Sequence, residues 1–229
     1  MNRLRMHLFD EQDDLRRMID LAQSLRDSGQ RVYPNSADLF EELADADAQV
    51  STRLWESENG ELAGFAYVSP WQNLVDVFDA GELTSAVETE LMRAAAEAMR
   101  QRNQAHASQD TLDAVALEDD LARKALLERH GFKREEESSM LYACSLEGSI
   151  GEPILPKGFS IRPMGGQSEL GKYVALHRAA FGTEHMTEAY RQTIMNAPDY
   201  IPELDLVAVA PNGELAAQPP NQGKSRLAR

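Results

Sequence analysis

The stretch 53-RLWESENGELAGFAYV-68 decides the fold, because 205-DLVAVAPNGELAA-217 repeats its turn letter for letter. The string NGELA begins at Asn59 and again at Asn212, 153 residues further on. An Asn-Gly pair between apolar runs is the strongest short-range hairpin signal, since both turn residues must accept positive φ. The same turn after two similar apolar runs implies one supersecondary unit used twice.

Reading outward from the first hairpin, LRMHLF (4–9) alternates weakly as a short strand. Asp10 or Asp13 caps a helix through DDLRRMIDLAQSLRD, and Ser36 caps a second helix, SADLFEELADA. After the hairpin, NLVDVFDA is a strand and GELTSAVETELMRAAAEAMRQRN the longest helix. TLDAVALE is a strand, DDLARKALLERH a helix stopped by Gly131, and FKREEESSMLYACSL a strand pair. The segment EGSIGEPILPKG is rich in Gly and Pro and marks a boundary. Past it the order restarts: FSIRPM as strand, SELGKYVALHRAAFG and MTEAYRQTIMNA as helices, then the second hairpin. The expected division is a complete unit over 1–147, a linker over 148–158, the front half of a second unit over 159–217 and a disordered tail over 218–229. The polar tail and its Pro219-Pro220 pair leave the second copy truncated after its hairpin.

Composition narrows the function. A net charge of −15 repels phosphate backbones and anionic lipid, so neither nucleic acid nor membrane is an expected partner. One cysteine, Cys144, excludes an intramolecular disulfide. No apolar run approaches the ~20 residues of a membrane helix, and the acidic start reads as no signal peptide. These features predict a cytoplasmic protein. His177 and His185 lack the i, i+4 spacing of a helical metal pair, and His7, His106 and His130 are isolated, so no metal site is expected. Trp55 and Trp71 read as core residues flanking the hairpin.

The element order, RLWESENGELAGFAYV as second and third strands, and ARKALLERHGFKREEE (122–137) together resemble the GNAT superfamily of acetyl-CoA-dependent N-acetyltransferases. The likeness is greatest to tandem members with two fused domains, such as mycothiol synthase. The resemblance implies an α/β (α+β) fold, a mixed and mostly antiparallel twisted sheet flanked by helices, present as one complete copy and the front half of another. It implies acyl transfer from acetyl-CoA to a primary amine, with a non-catalytic scaffold as the alternative. It also puts the cofactor where one strand splays from its neighbour and a Gly-rich loop meets a helix N-terminus.

The matching stretch here is 75-VDVFDAGELTSAVETEL-91, which assigns Val77, Phe78, Gly81, Thr84 and Ser85 to the cofactor. Gly81 is its only glycine, no Arg or Lys precedes Arg93, and Asp79, Glu82 and Glu88 surround the turn. Ser85 to Glu88 has capping-box spacing, which makes Ser85 the expected helix cap. The Tyr that often serves as general acid in this family falls on Leu127, and Tyr142 on a later strand takes no assignable role. Asp76 is the candidate general base. A small amine is the expected substrate, and a homodimer through the truncated second unit the expected assembly.

Overall fold

The computed structural model describes residues 4–10, 13–79, 81–136, 148, 151–182, 184, 186–198 and 200–217. The strand pair expected over 132–146, most of it including Tyr142 and Cys144, and the tail over 218–229 lie outside these residues. The chain divides into two compact units, Met1–Arg134 and Glu135–Arg229.

The first unit runs β1 (Arg5–Leu8), α1 (Asp14–Asp27), α2 (Ser36–Glu42), α3 (Ala46–Ser51), β2 (Arg53–Glu56), β3 (Leu62–Val68), β4 (Asn73–Phe78), α4 (Ser85–His106), β5 (Asp113–Ala114) and α5 (Leu121–Arg129). Its five strands lie in chain order, antiparallel from β1 to β4, with β5 parallel to β4. The mixed, mostly antiparallel sheet with helices about it is the α/β architecture expected. Strand alternation gives the sheet two apolar faces. Leu54, Phe65, Tyr67, Val75 and Val77 pack with Met18, Ala22 and Leu25 of α1 and Leu39 of α2. Trp55, Ala66, Val68 and Leu74 pack with Val87, Leu91 and Ala95 of α4 and Leu126 and Leu127 of α5.

Several local expectations shift. α2 begins one residue after Asn35, not after Ser36; Asn35 and Asp38 form a reciprocal capping box, each accepting the other's backbone N–H at 3.0 Å. Asp13 precedes α1 without a side-chain cap, and Asp14 turns back to accept the Asp10 N–H at 2.8 Å. The six-residue α3, capped by Asp45, is not among the expected elements, which carry the second helix on to Ala46 and then enter the hairpin.

The second unit runs β6 (Ser160–Pro163), a 3-10 turn (Gly166–Glu169), α6 (Leu170–Phe181), α7 (Glu188–Met195), a 3-10 turn (Pro202–Leu204), β7 (Leu206–Val209) and β8 (Leu215–Ala217). β6, β7 and β8 form an antiparallel sheet around Met164, Leu170, Tyr173 and Val207. Its pairing matches the first unit's position by position. Arg5 opposes Glu56 and Leu8 opposes Arg53; Ser160 opposes Val209 and Pro163 opposes Leu206. Register slips between Trp55 and Glu56 and, at the same place, between Ala208 and Val209. The turn glycines Gly60 and Gly213 sit at φ +80° and +82°, where side-chain-bearing residues are strained.

A carboxylate turned back on the backbone recurs as well, buried at Asp14 and part-buried at Glu169. Asp14 accepts the Asp10 N–H, and Glu169 accepts the Gly165 N–H at 2.7 Å, each four residues back. The counter-ions differ in origin: Arg17, on the helix, holds Asp14 at 3.0 Å, and Arg162, on the strand, holds Glu169 with bonds of 2.7 and 2.6 Å. Those bonds from Arg162, with the Gly165 N–H, bring the Glu169 carboxyl down to about 2.

Candidate functional site

The first unit's sheet opens at one place. β5 pairs with β4 only at Asn73–Asp113 and Leu74–Ala114. Beyond Leu74 the two strands have no further pairing, while β4 continues to Phe78 against β3. The chain then turns through Gly81, at φ +85°, and enters α4. A strand edge released from its neighbour and followed by a helix N-terminus is the geometry in which backbone amides face a ligand.

The residues assigned from sequence distribute unevenly around this opening. Thr84, not Ser85, caps α4, its hydroxyl accepting the Val87 N–H at 3.4 Å; Ser85 is the first helical residue and exposed. The expected capping box therefore does not form. Glu88 instead points across to the end of α5, where Arg129 donates at 3.0 Å and the His130 ring bonds it at 2.8 Å. Burial pushes the Glu88 carboxyl up, but the bonds from His130 and Arg129 prevail and hold it below its ordinary value. Val77 is buried in the core on the α1 side. Phe78 turns the other way and lies over Gly64, where an added Cβ would meet its ring at 2.1 Å, and against Trp55 at 5.2 Å between centroids. Gly81 is exposed.

Asp76 alternates with Leu74 and Phe78 and so points to the apolar α4–α5 side, its side chain only 7% exposed. A carboxylate so placed requires a cation. Arg123 of α5 supplies one: its two terminal nitrogens each donate to one Asp76 oxygen at 2.8 Å, and its Nε donates to the Val115 carbonyl at 2.6 Å. Burial acts to lower the Arg123 pKa, and the Asp76 charge outweighs it, leaving the guanidinium above its ordinary value. Both Asp76 oxygens are engaged, so in this arrangement Asp76 is an ion-pair partner and not a free base. Since Val115 follows the last residue of β5, one guanidinium spans the vertex at which the strands part.

Leu127, at the position of the family's frequent Tyr, is 7% exposed and packs in the α4–α5 core. Trp55 is buried, and its indole N–H donates to Glu90 at 3.0 Å. Trp71 is half-buried in the turn before β4. His177 packs against Phe181 at 4.6 Å, and His106 bonds Asp47 at 2.7 Å; His185 lies outside the described residues. No group of three or more His, Cys, Asp or Glu among the described residues is placed to hold a metal ion, and no helix among them is long and apolar enough to cross a membrane. Sequence reasoning missed Arg123, Arg129 and His130 as members of this region. Their one signal was a basic i, i+6 pair on a helix ending in His-Gly, meaningless until α5 folds back across β4.

No protein-family model and no curated protein matches the sequence. Solved structures do. The chain is similar to a GCN5-related N-acetyltransferase from Sphaerobacter thermophilus, with a TM-score of 0.55 and 16% identity over 93% of this chain and 69% of that one. It is likewise similar to a tandem GNAT protein from the clavulanic acid biosynthesis pathway, with a TM-score of 0.53 and 16% identity over 93% of this chain and 72% of that one. A third is the glucosamine N-acetyltransferase region of a fungal multi-domain GH3 β-N-acetylglucosaminidase, with a TM-score of 0.50 and 14% identity over 94% of this chain and 27% of that one. The fold is that of the GCN5-related N-acetyltransferases.

Proposed function

We propose that this chain is a GNAT-type acyltransferase, moving an acetyl group from acetyl-CoA to a primary amine. The observation that carries the reading is the parting of β4 from β5 immediately before the turn into α4, within a sheet of the GCN5-related fold. Bound acetyl-CoA would supply the thioester. The residues fit that group along β4 and at the start of α4. The backbone of Val77 and Phe78 borders the opening, and Gly81, Thr84 and Ser85 shape the turn. Arg129 brings positive charge beside the first turn of α4, offsetting Glu88, and the His130 ring bonds the same carboxylate. At the vertex the fit fails while Arg123 holds Asp76 and the Val115 carbonyl.

An acidic surface, at a net charge of −15, would draw a cationic amine. With Asp76 paired and Leu127 in the core, this unit's part in transfer is to bind and orient, and proton removal falls to water or to the amine's own equilibrium. The experiment is a melting-temperature titration with acetyl-CoA, followed by acetylation of a panel of primary amines. Stabilisation of ~2.7 kcal/mol at a hundredfold excess over Kd supports the reading, and no shift at millimolar cofactor, either in wild type or in a folded variant lacking the Arg123–Asp76 pair, refutes it.

The second reading, a non-catalytic scaffold, is favoured by the filled vertex itself. Under either reading we assign the second unit to the front of a second GNAT-like copy of the tandem type. The support is the shared register, bulge and turn of the two hairpins. Self-association through that unit, where Ile201 and Leu204 are more than half exposed, belongs to the same proposal and is tested by light scattering.

A further inference from the structure

Resting on the acetyl-CoA reading, we infer that the Arg123–Asp76 pair is a latch, an autoinhibitory contact that closes the vertex of the β4–β5 opening and admits a coenzyme A thioester only when the guanidinium swings out. Three observations carry it. First, the contact bridges the two strands that separate. One end is the Asp76 side chain on β4; the other is the Val115 carbonyl just past β5, and Arg123 makes all three bonds at 2.6 to 2.8 Å. Second, the pair sits inside the fold, with the side chains of Asp76 and Arg123 7% and 21% exposed, so salt screens it little. Third, Arg123 lies in the first turn of α5, where its backbone N–H is fixed by Asp120 at 2.9 Å, so the guanidinium moves on its own long stem while the helix start stays capped.

The Val115 bond makes the same side chain a staple across the opening. Opening leaves Asp76 without its cation in an apolar setting, which keeps the open form a minor state. A ligand that requires the open form then binds more weakly by the fraction of open molecules.

The test uses the full chain and four proteins: wild type, Arg123→Ala, Asp76→Asn and Arg123→Lys, the last keeping the charge without the two-pronged donor. Acetyl-CoA binding is measured by calorimetry and amide exchange over 75–79 without cofactor, far-UV circular dichroism confirming the fold. Arg123→Ala and Asp76→Asn should bind about tenfold tighter or more, with Arg123→Lys between them and wild type, and β4 exchange should quicken in step. Should Arg123→Ala fail to fold, Arg123→Lys and Asp76→Asn decide. Wild type binding as tightly as the folded variants overturns the latch and leaves the acetyl-CoA reading standing. If no folded protein binds, both fall together.

Discussion

Asp38 offers a sharp test of how burial governs this fold. It is 4% exposed, on α2 beside Glu41 and Glu42, which are 6% and 5% exposed. Tyr33 and Tyr67 each donate to Glu42 at 2.7 Å. Burial raises the Asp38 carboxyl, the bond from the Asn35 N–H lowers it, Glu42 and Glu41 raise it again, and Arg26 opposes them. The balance moves it from 3.8 to about 7. A carboxyl raised on folding binds its proton more tightly in the native state. Its favourable contribution is complete below the unfolded value near 3.8 and is lost as pH climbs through about 7. The difference corresponds to about 4 kcal/mol at the upper limit.

Asp38→Asn removes the charge and keeps an oxygen to accept the Asn35 N–H. The variant should match wild type near pH 4 and exceed it at pH 8 by about 1–4 kcal/mol. Both tryptophans, Trp55 and Trp71, lie in the first unit, so urea titrations followed by their fluorescence report on the unit that holds Asp38. The difference between the two proteins isolates this carboxyl from the others. A variant less stable at pH 8, or a difference flat from pH 4 to 8, would refute the argument that burial and the neighbouring acids dominate Asp38.

Gly60→Ala forces a side chain into φ +80° and should cost about 1 kcal/mol or more, read in the same fluorescence titration. Gly213→Ala imposes the equivalent strain at +82° and should cost about 1 kcal/mol or more, read by amide exchange over 206–217. Glu88→Gln removes the ion pair to Arg129 and alters the bond to His130; the loss should stay under about 1 kcal/mol and shrink in high salt. Because the Glu88 carboxyl is held below its ordinary 4.5, its contribution is present above that value and fades as pH falls further, so variant and wild type should converge in acid. Leu127→Ala opens a cavity in the α4–α5 core and should cost about 2–4 kcal/mol by urea midpoint.

The hairpins were legible in place but not in turn type: Gly60 and Gly213 take positive φ while Asn59 and Asn212 do not. The Gly60 N–H donates to the Ser57 carbonyl at 3.0 Å, as the Gly213 N–H does to Ala210 at 2.9 Å, so each turn is centred one residue before its Asn-Gly pair. The long α4 was legible from its apolar stripe, with Val87, Leu91 and Ala95 buried as periodicity required. Caps were harder, since Ser, Thr, Asn and Asp compete for the same role within a residue or two. Asn35 displaced Ser36, and Thr84 displaced Ser85, because only one of each pair stands in extended backbone beside the first turn. α3 escaped notice because six residues show less than two turns of periodicity. Asp76 could not be read at all from its neighbours. A lone acid in a strand suggests a solvated edge, and only the return of α5, 47 residues on, reveals a buried ion pair.

The carboxylates Asp14 and Glu169 serve the same bend in the two units with different partners. Each tethers the bend that leads from strand to helix, yet one draws its cation from a residue downstream and the other from a residue upstream. Donor and acceptor therefore differ between the two units as sets. Swapping Arg162 alone into the first half, at His7, would crowd a site that Arg17 already balances, whereas exchanging whole strand-to-helix segments would carry each charge together with its answer.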